Sequence, residues 1–189
     1  DKAFYTGRAG RIERVFLPEM AFLMIDGQGD PNTTPAYGAA VQALYGLSYG
    51  VKFLAKSALG RDHVVGPLEG LWWADDLADF TANRRDGWRW TMMIRQPDWI
   101  TAALVDQTRA AKAIDLPVRL ERLTEGLCLQ TLHLGPYAAE GPTITHLHHE
   151  IAAQGLRPTG HHHEIYLGDP RKVAPDKLKT LIRQPVGPV

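Results

Sequence analysis

Hydrophobic and polar positions alternate between two periods along this chain. The run "EMAFLMIDGQGDP" is unbroken apolar from Met20 to Ile25, then closes on two glycines and a proline, which predicts a buried strand. The period then lengthens. In "TTPAYGAAVQALYGLSYGVKFLAK", Tyr37, Val41, Leu44, Leu47, Val51 and Leu54 recur at helical spacing, with Thr34 at the capping position and Pro35 at the first helical one. Gly38, Gly46 and Gly50 lie inside this helix at roughly 1 kcal/mol each, a cost that close approach to a sheet would offset. "VVGPLEGLWW" predicts a second strand. After a polar turn from Asn83 to Gly87, "WRWTMMIRQP" predicts a third.

A linking helix is expected from Asp98 to about Ile114, and then the order repeats. "GLCLQTLHLGPY" is a strand closed by Gly135-Pro136. "GPTITHLHHEIAAQG" is a helix with Ile144, Leu147, His148 and Ile151 on one face and Gly155 as its stop signal. "GHHHEIYLGDP" is a strand, and "APDKLKTLIRQPV" gives one helical turn and a last strand. The tetrapeptide IRQP closes the fourth element both times, at 94–97 and 182–185. An exact four-residue repeat arises by chance about one time in five in a chain this long, so the shared element order carries more weight than the match. The expected fold class is α+β: a strand-helix-strand-strand unit, duplicated, with pseudo-twofold symmetry. The first half spans about 16–97, the link about 98–115 and the second half about 122–189 of one domain covering 1–189. Two small sheets with one uncovered face each would merge and form a ligand cleft between the halves.

Composition narrows the function classes. The 189 residues include 44% hydrophobic ones, enough for a substantial core. Lysine plus arginine and aspartate plus glutamate number 21 each, so there is no electrostatic footprint for nucleic acid. No apolar run has membrane-spanning length and the first residues form no signal peptide. Cys128 is the one cysteine, which excludes an intrachain disulfide, fits a cytoplasmic setting and, mid-strand among leucines, suggests a buried thiol. Oligomeric state is left open by these features.

Alternation along "HHHEIYL" sets His162, Glu164 and Tyr166 on one strand face and His161, His163, Ile165 and Leu167 on the other. A mid-strand carboxylate needs water, a cation or a hydrogen-bond partner. An ordinary solvated sheet face accounts for it about half the time; the expected cleft on the open face favours function. Glu69 lies in the matching strand of the first half, with Leu71 and Trp73 on its face. With Trp72, Trp73, Tyr137 and Tyr166 near in the plan, the site would be aromatic-walled and suited to a flat, hydrophobic or cationic small molecule. Trp88 and Trp90 fit core packing better. His146, His149 and Glu150 have helical ligand spacing, but no cysteine pair or HExxH pattern supports zinc, and no metal is expected. "GQGDPN" is too short for a dinucleotide fingerprint and no P-loop or nucleophile elbow occurs, so no cofactor is expected either.

The segments "FLMIDGQGDPN", "PLEGLWW", "MMIRQPDW", "EGLCLQTLHLGPY" and "HHHEIYLGDPRKVAPDKLKTLIRQPV" resemble the GyrI-like small-molecule-binding family. This is the relative of the effector-binding domains of multidrug-responsive bacterial transcription activators. The resemblance covers nearly the whole chain. It implies a duplicated strand-helix-strand-strand fold with a ligand cleft, and a mid-strand glutamate, matched here by Glu164, that meets cationic aromatic ligands. No helix-turn-helix pattern precedes these elements, so the resemblance is to the stand-alone branch. That branch includes hydrolases that open the cyclopropane of genotoxic cyclopropapyrroloindole antibiotics of the yatakemycin and duocarmycin type. Its second glutamate, just after "GPY", is matched by Glu140. The sequence departs from the branch at Gly168, where serine is usual, and at Gly141 ahead of Pro142, which would loosen the turn carrying Glu140.

For this chemistry the resemblance implies that Glu164 and Glu140 share water activation and proton donation, undivided at this stage. Tyr166 and Tyr137 are candidate donors, Trp72 and Trp73 candidate stacking walls, and Glu69 and His162 further lining. Two other classes compete. A non-catalytic module would sequester hydrophobic or cationic aromatics with Glu164 as counter-charge. A protein-interaction role, like the gyrase inhibitor that names the family, predicts an exposed acidic surface, for which a neutral chain gives little support.

Overall fold

The computed structural model describes residues 2–75 and 85–189, so the first part of the turn expected at Asn83–Gly87 lies outside the described residues. In chain order the elements are β1 (Glu13–Leu17), β2 (Met20–Gln28), α1 (Pro35–Leu59), β3 (Leu68–Ala74), β4 (Trp88–Gln96), α2 (Ala102–Ala111) and β5 (Arg119–Leu123). They continue with β6 (Gly126–Leu134), α3 (Gly141–Ala153), β7 (Leu156–Pro158), β8 (His162–Tyr166) and β9 (Lys179–Pro188). The chain divides into two compact units: Met20–Leu123, and a second made from both ends, Asp1–Glu19 with Thr124–Val189. The α+β class expected from the patterning is the class observed.

In the first of these units the sheet order is β3-β4-β2-β5, antiparallel throughout. The strand β2 runs straight through Gly27 and stops at Gly29, which has φ 106°. Gly27 therefore does not close the strand. It faces Trp90 across the ladder, and an added Cβ there would lie 2.0 Å from the indole, so glycine makes room for the ring. Pro35 is the first helical residue of α1, and Thr34 is extended at the cap but gives the helix no side-chain hydrogen bond. The entry is fixed instead by Asp30, whose carbonyl accepts from Thr33 and Thr34 and whose carboxylate accepts from Asn32. Leu44, Leu47 and Val51 are fully buried along the packed face.

The glycines of α1 behave differently from expectation. A Cβ on Gly50 would meet Thr108 Cγ2 at 2.4 Å and Lys112 Cε at 2.5 Å, so the close approach is to α2 and not to the sheet. A Cβ on Gly38 would meet nothing within 4 Å. The linking helix, expected from Asp98 to about Ile114, is shorter, Ala102–Ala111. Ile100 closes a turn onto Pro97, and the hydroxyl of Thr101 then caps α2 by accepting from Leu104.

In the other unit the order is β8-β9-β6-β1, with β7 pairing the far end of β9. Leu129, Leu147, Ile151, Ile182 and Val186 form the core between α3 and this sheet, so Ile182 marks the helix-bearing face. His148, expected on the packed face, is exposed. The first IRQP ends β4, which runs between β2 and β3, the second lies on β9, between β6 and β8, and both glutamines, Gln96 and Gln184, are buried. Among the described residues no helix is long and apolar enough to cross a membrane.

Candidate functional site

Strand register decides where the glutamates point. Glu164 pairs with Ile182, so its side chain rises on the face that α3 covers, not on an uncovered one. In the other unit Ile94 pairs with Leu68, and Glu69 pairs with Met93. With the two IRQP segments as a common frame, Glu164 stands where Leu68 stands. The expected correspondence of Glu69 with Glu164 is therefore off by one residue, which in a strand reverses the face.

Around Glu164 the alternation holds. His162 Nε2 lies 2.9 Å from Glu164 Oε1; because a carboxylate only accepts, that nitrogen carries the hydrogen. Tyr166 Oη donates to Glu164 Oε2 at 2.8 Å. Tyr137, on the turn after β6, sets its ring edge-on to Tyr166 with centroids 5.5 Å apart, and is itself 39% exposed. Glu140 follows on the same turn, buried at the start of α3. Its backbone N–H closes the turn onto Tyr137 and its carbonyl accepts the helix's first bond from Ile144. Gly141 is the first residue of α3.

The two carboxyl groups hydrogen-bond each other and are pushed in opposite directions. Burial, and then the charge of Glu164, raise Glu140 to about 9. A helix start favours an anion by at most ~2 kcal/mol, and here that loses. Burial also opposes ionisation of Glu164, but the His162 hydrogen bond and charge, the Tyr166 hydroxyl and the Glu140 proton together outweigh it and hold Glu164 below the usual carboxylate range. Between those limits the pair keeps one proton, on Glu140, and one negative charge, on Glu164. The hydroxyl of Thr180 on β9 faces the Glu140 carboxyl and favours its ionised form, by less than burial and the charge of Glu164 oppose it.

The remaining candidates lie in the other unit. Trp72 shares the face of its cross-strand partner Trp90 and packs on Tyr37 at 6.1 Å and Trp88 at 5.9 Å, an aromatic cluster against α1. Trp73 and Glu69 face the opposite way, with Glu69 fully buried. The expectation of core packing suits Trp90, which is 1% exposed.

Two groups of polar residues escaped the sequence. His133 binds the turn that carries Tyr137 and Glu140, through Thr143 and the Pro136 carbonyl. On the reverse face of the sheet, His163 Nδ1 donates to Glu125 Oε1 at 2.8 Å, and Arg183 lies 3.6 Å from the same carboxylate. Arg183 and Gln130 then donate to the carbonyls of Phe4 and Thr6. A signal existed for that group, an arginine and a glutamate flanking apolar strand residues, but pairing across 58 positions of chain needs the register. Cys128 is buried as expected, its thiol pushed up to about 12 by burial and by Glu125.

The fold is α+β, with a buried carboxyl pair beside Tyr166 and Tyr137. The chain belongs to the family described as the GyrI-like small molecule binding domain, whose model matches residues 11–186. Among solved structures it is similar to an uncharacterized conserved protein from Listeria innocua at 41% identity and TM-score 0.88, covering 99% of this chain and 97% of that one. A second Listeria innocua structure, described as a hydrolase, is also 41% identical, with TM-score 0.83 and coverage of 98% and 96%. The C-terminal domain of EcmrR shares the fold at 11% identity and TM-score 0.61, covering 95% of this chain and 98% of that one. No curated protein matches the chain.

Proposed function

We propose that this protein is a hydrolase that adds water across the cyclopropane of cyclopropapyrroloindole-type genotoxic compounds of the yatakemycin and duocarmycin kind. The observation that carries the proposal is the carboxyl pair: one proton on Glu140, one charge on Glu164, both largely buried. The likeness to a Listeria protein described as a hydrolase supports turnover over binding alone.

An ionised carboxylate offers about four lone-pair sites. His162, Tyr166 and Glu140 occupy three of those on Glu164, which leaves one for a substrate water. Glu164 accepts that water's proton as oxygen attacks the unsubstituted ring carbon. The breaking carbon–carbon bond releases its electron pair through the dienone, whose oxygen becomes a phenolate and takes a proton to give the phenol. That oxygen lies across a ring from the attacked carbon, out of reach of Glu140 while Glu140 holds Glu164. Tyr137, partly exposed beside Tyr166, is the donor we assign to it. Glu140 keeps the base from picking up a proton of its own at neutral pH by leaving the pair a single charge. Incubation with such a compound should give its water adduct by mass spectrometry, and compound returned unchanged after long incubation would defeat the hydrolase.

The second reading is a sequestering module for cationic aromatics. The observation favouring it is the same negative charge beside two tyrosine rings. It requires affinity that falls for cations and stays for neutral ligands in Glu164→Gln, with no turnover by either protein.

A further inference from the structure

Glu140 is not held by its own side chain's contacts with the helix it begins, since it makes no capping hydrogen bond there. Something else must fix the six-residue turn between β6 and α3. His133, the penultimate residue of β6, is 6% exposed and reaches both flanks of that turn. Its Nε2 lies 3.2 Å from the Pro136 carbonyl oxygen, which can only accept, so Nε2 carries the hydrogen. Its Nδ1 lies 3.0 Å from Thr143 Oγ1, in the first turn of α3, and in the neutral ring accepts from that hydroxyl. One bond is made before Glu140 in the chain and one after it. Gly135 has φ 125°, and an added Cβ would sit 3.6 Å from His133 Nε2, so the chain doubles back closely over the ring. The Gly135 N–H is tied in turn to the Leu178 carbonyl.

We infer that His133 is a positioning residue: a strut between Pro136 and Thr143 that holds the Glu140 carboxyl against Glu164. It touches neither carboxylate in this arrangement, and its action is through the turn. Without the strut the turn keeps its own short backbone bonds and the Gly135–Leu178 tie at its start, but nothing holds its Glu140 end, and Glu140 swings toward water. The groups that face the Glu140 carboxyl are Glu164, with His162 and Tyr166 bound behind it, and the Thr180 hydroxyl on β9. None of them would follow Glu140 outward, so its burial and its contact with the negative charge are lost together.

The consequence for turnover rests on the hydrolase reading, whereas the consequence for Glu140 itself does not. In full-length protein labelled with ¹³C at glutamate carboxyls, Glu140 should titrate near 9. His133→Ala should lower that midpoint by ~1 pH unit or more, toward an ordinary carboxylate. Thr143→Val, nearly isosteric at a half-buried position of α3, should lower it in the same direction by less, and decides the matter if the alanine variant fails to fold. His133→Gln, whose amide can still donate to Pro136, should restore part of the loss. Under the hydrolase reading, kcat should fall about tenfold to a hundredfold and the alkaline limb of the rate profile should move down with the midpoint. Midpoints unchanged in both His133→Ala and Thr143→Val would overturn the strut. Shifted midpoints in a protein that forms no water adduct would leave the strut standing and sink the hydrolase alone.

Discussion

Glu140 and Glu164 are the same residue type in contact, and their surroundings give them opposite protonation. That difference has a sign in stability. The folded pKa of Glu140 is raised, so its contribution is fully present below the unfolded value near 4.5 and is lost as pH rises toward about 9. Glu140→Gln removes that loss. Its unfolding free energy, read from urea denaturation, should gain on wild type between pH 5 and pH 8 by up to ~4 kcal/mol. A constant difference across that range would mean Glu140 ionises normally in the fold. Glu164 runs the other way, with stability present above its unfolded pKa and lost on acidification. As a general base, Glu164→Gln should lower hydrolysis about 10²–10⁴-fold while a neutral aromatic ligand still binds. The double variant with Glu140→Gln should be hardly worse than the poorer single one, because the pair acts as a unit. At this scale the sequence was informative where one strand sufficed: alternation placed His162, Glu164 and Tyr166 together. It misled where two strands had to be aligned, since Glu69 depends on a register that a one-residue slip reverses.

At the scale of elements, the buried strands and the long helix announced themselves by apolar runs, and the edges did not. The strands β1 (Glu13–Leu17) and β5 (Arg119–Leu123) carry charges and an exposed Phe16, 68% accessible. Edge strands are commonly kept short and charged, which blocks further pairing and also erases the apolar signal. The helix glycines show the same limit, because only neighbours tell them apart. Gly38→Ala, with open space beside it, should stabilise the protein by about 0.5–1 kcal/mol through helix propensity. Gly50→Ala gains the same propensity but drives a methyl into Thr108 and Lys112, and should destabilise by a net 1–3 kcal/mol or so. Urea denaturation of the two variants checks both, and equal effects would mean that α1 and α2 separate without cost.

At the scale of the molecule, one unit is continuous in the chain and the other is not. The unit that carries Glu140 and Glu164 takes its outer strand β1 and its first residues from the beginning of the sequence. Those residues do more than cover an edge. The carbonyls of Phe4 and Thr6 accept from Arg183 and Gln130, and Arg183 is 1% exposed with its charge balanced by Glu125, to which His163 also donates in the same buried group. A chain beginning at Met20 would strip β6 of one of its two partner strands, remove the fully buried Leu17, and leave the Arg183 and Gln130 donors without their carbonyl acceptors. Each buried donor so orphaned costs about 1–3 kcal/mol, more where it is charged, and the lost side chain adds a comparable amount. The sum, on the order of 3–5 kcal/mol or more, is a large share of the ~5–15 kcal/mol that holds a domain together. The truncated chain should therefore show a urea transition in which the signals of Trp72, Trp73, Trp88, Trp90 and Trp99, all in Met20–Leu123, outlast those of Tyr137 and Tyr166. Tyrosine and tryptophan signals that fade together, at the wild-type urea concentration, would show that the first nineteen residues are dispensable to the unit bearing the carboxyl pair.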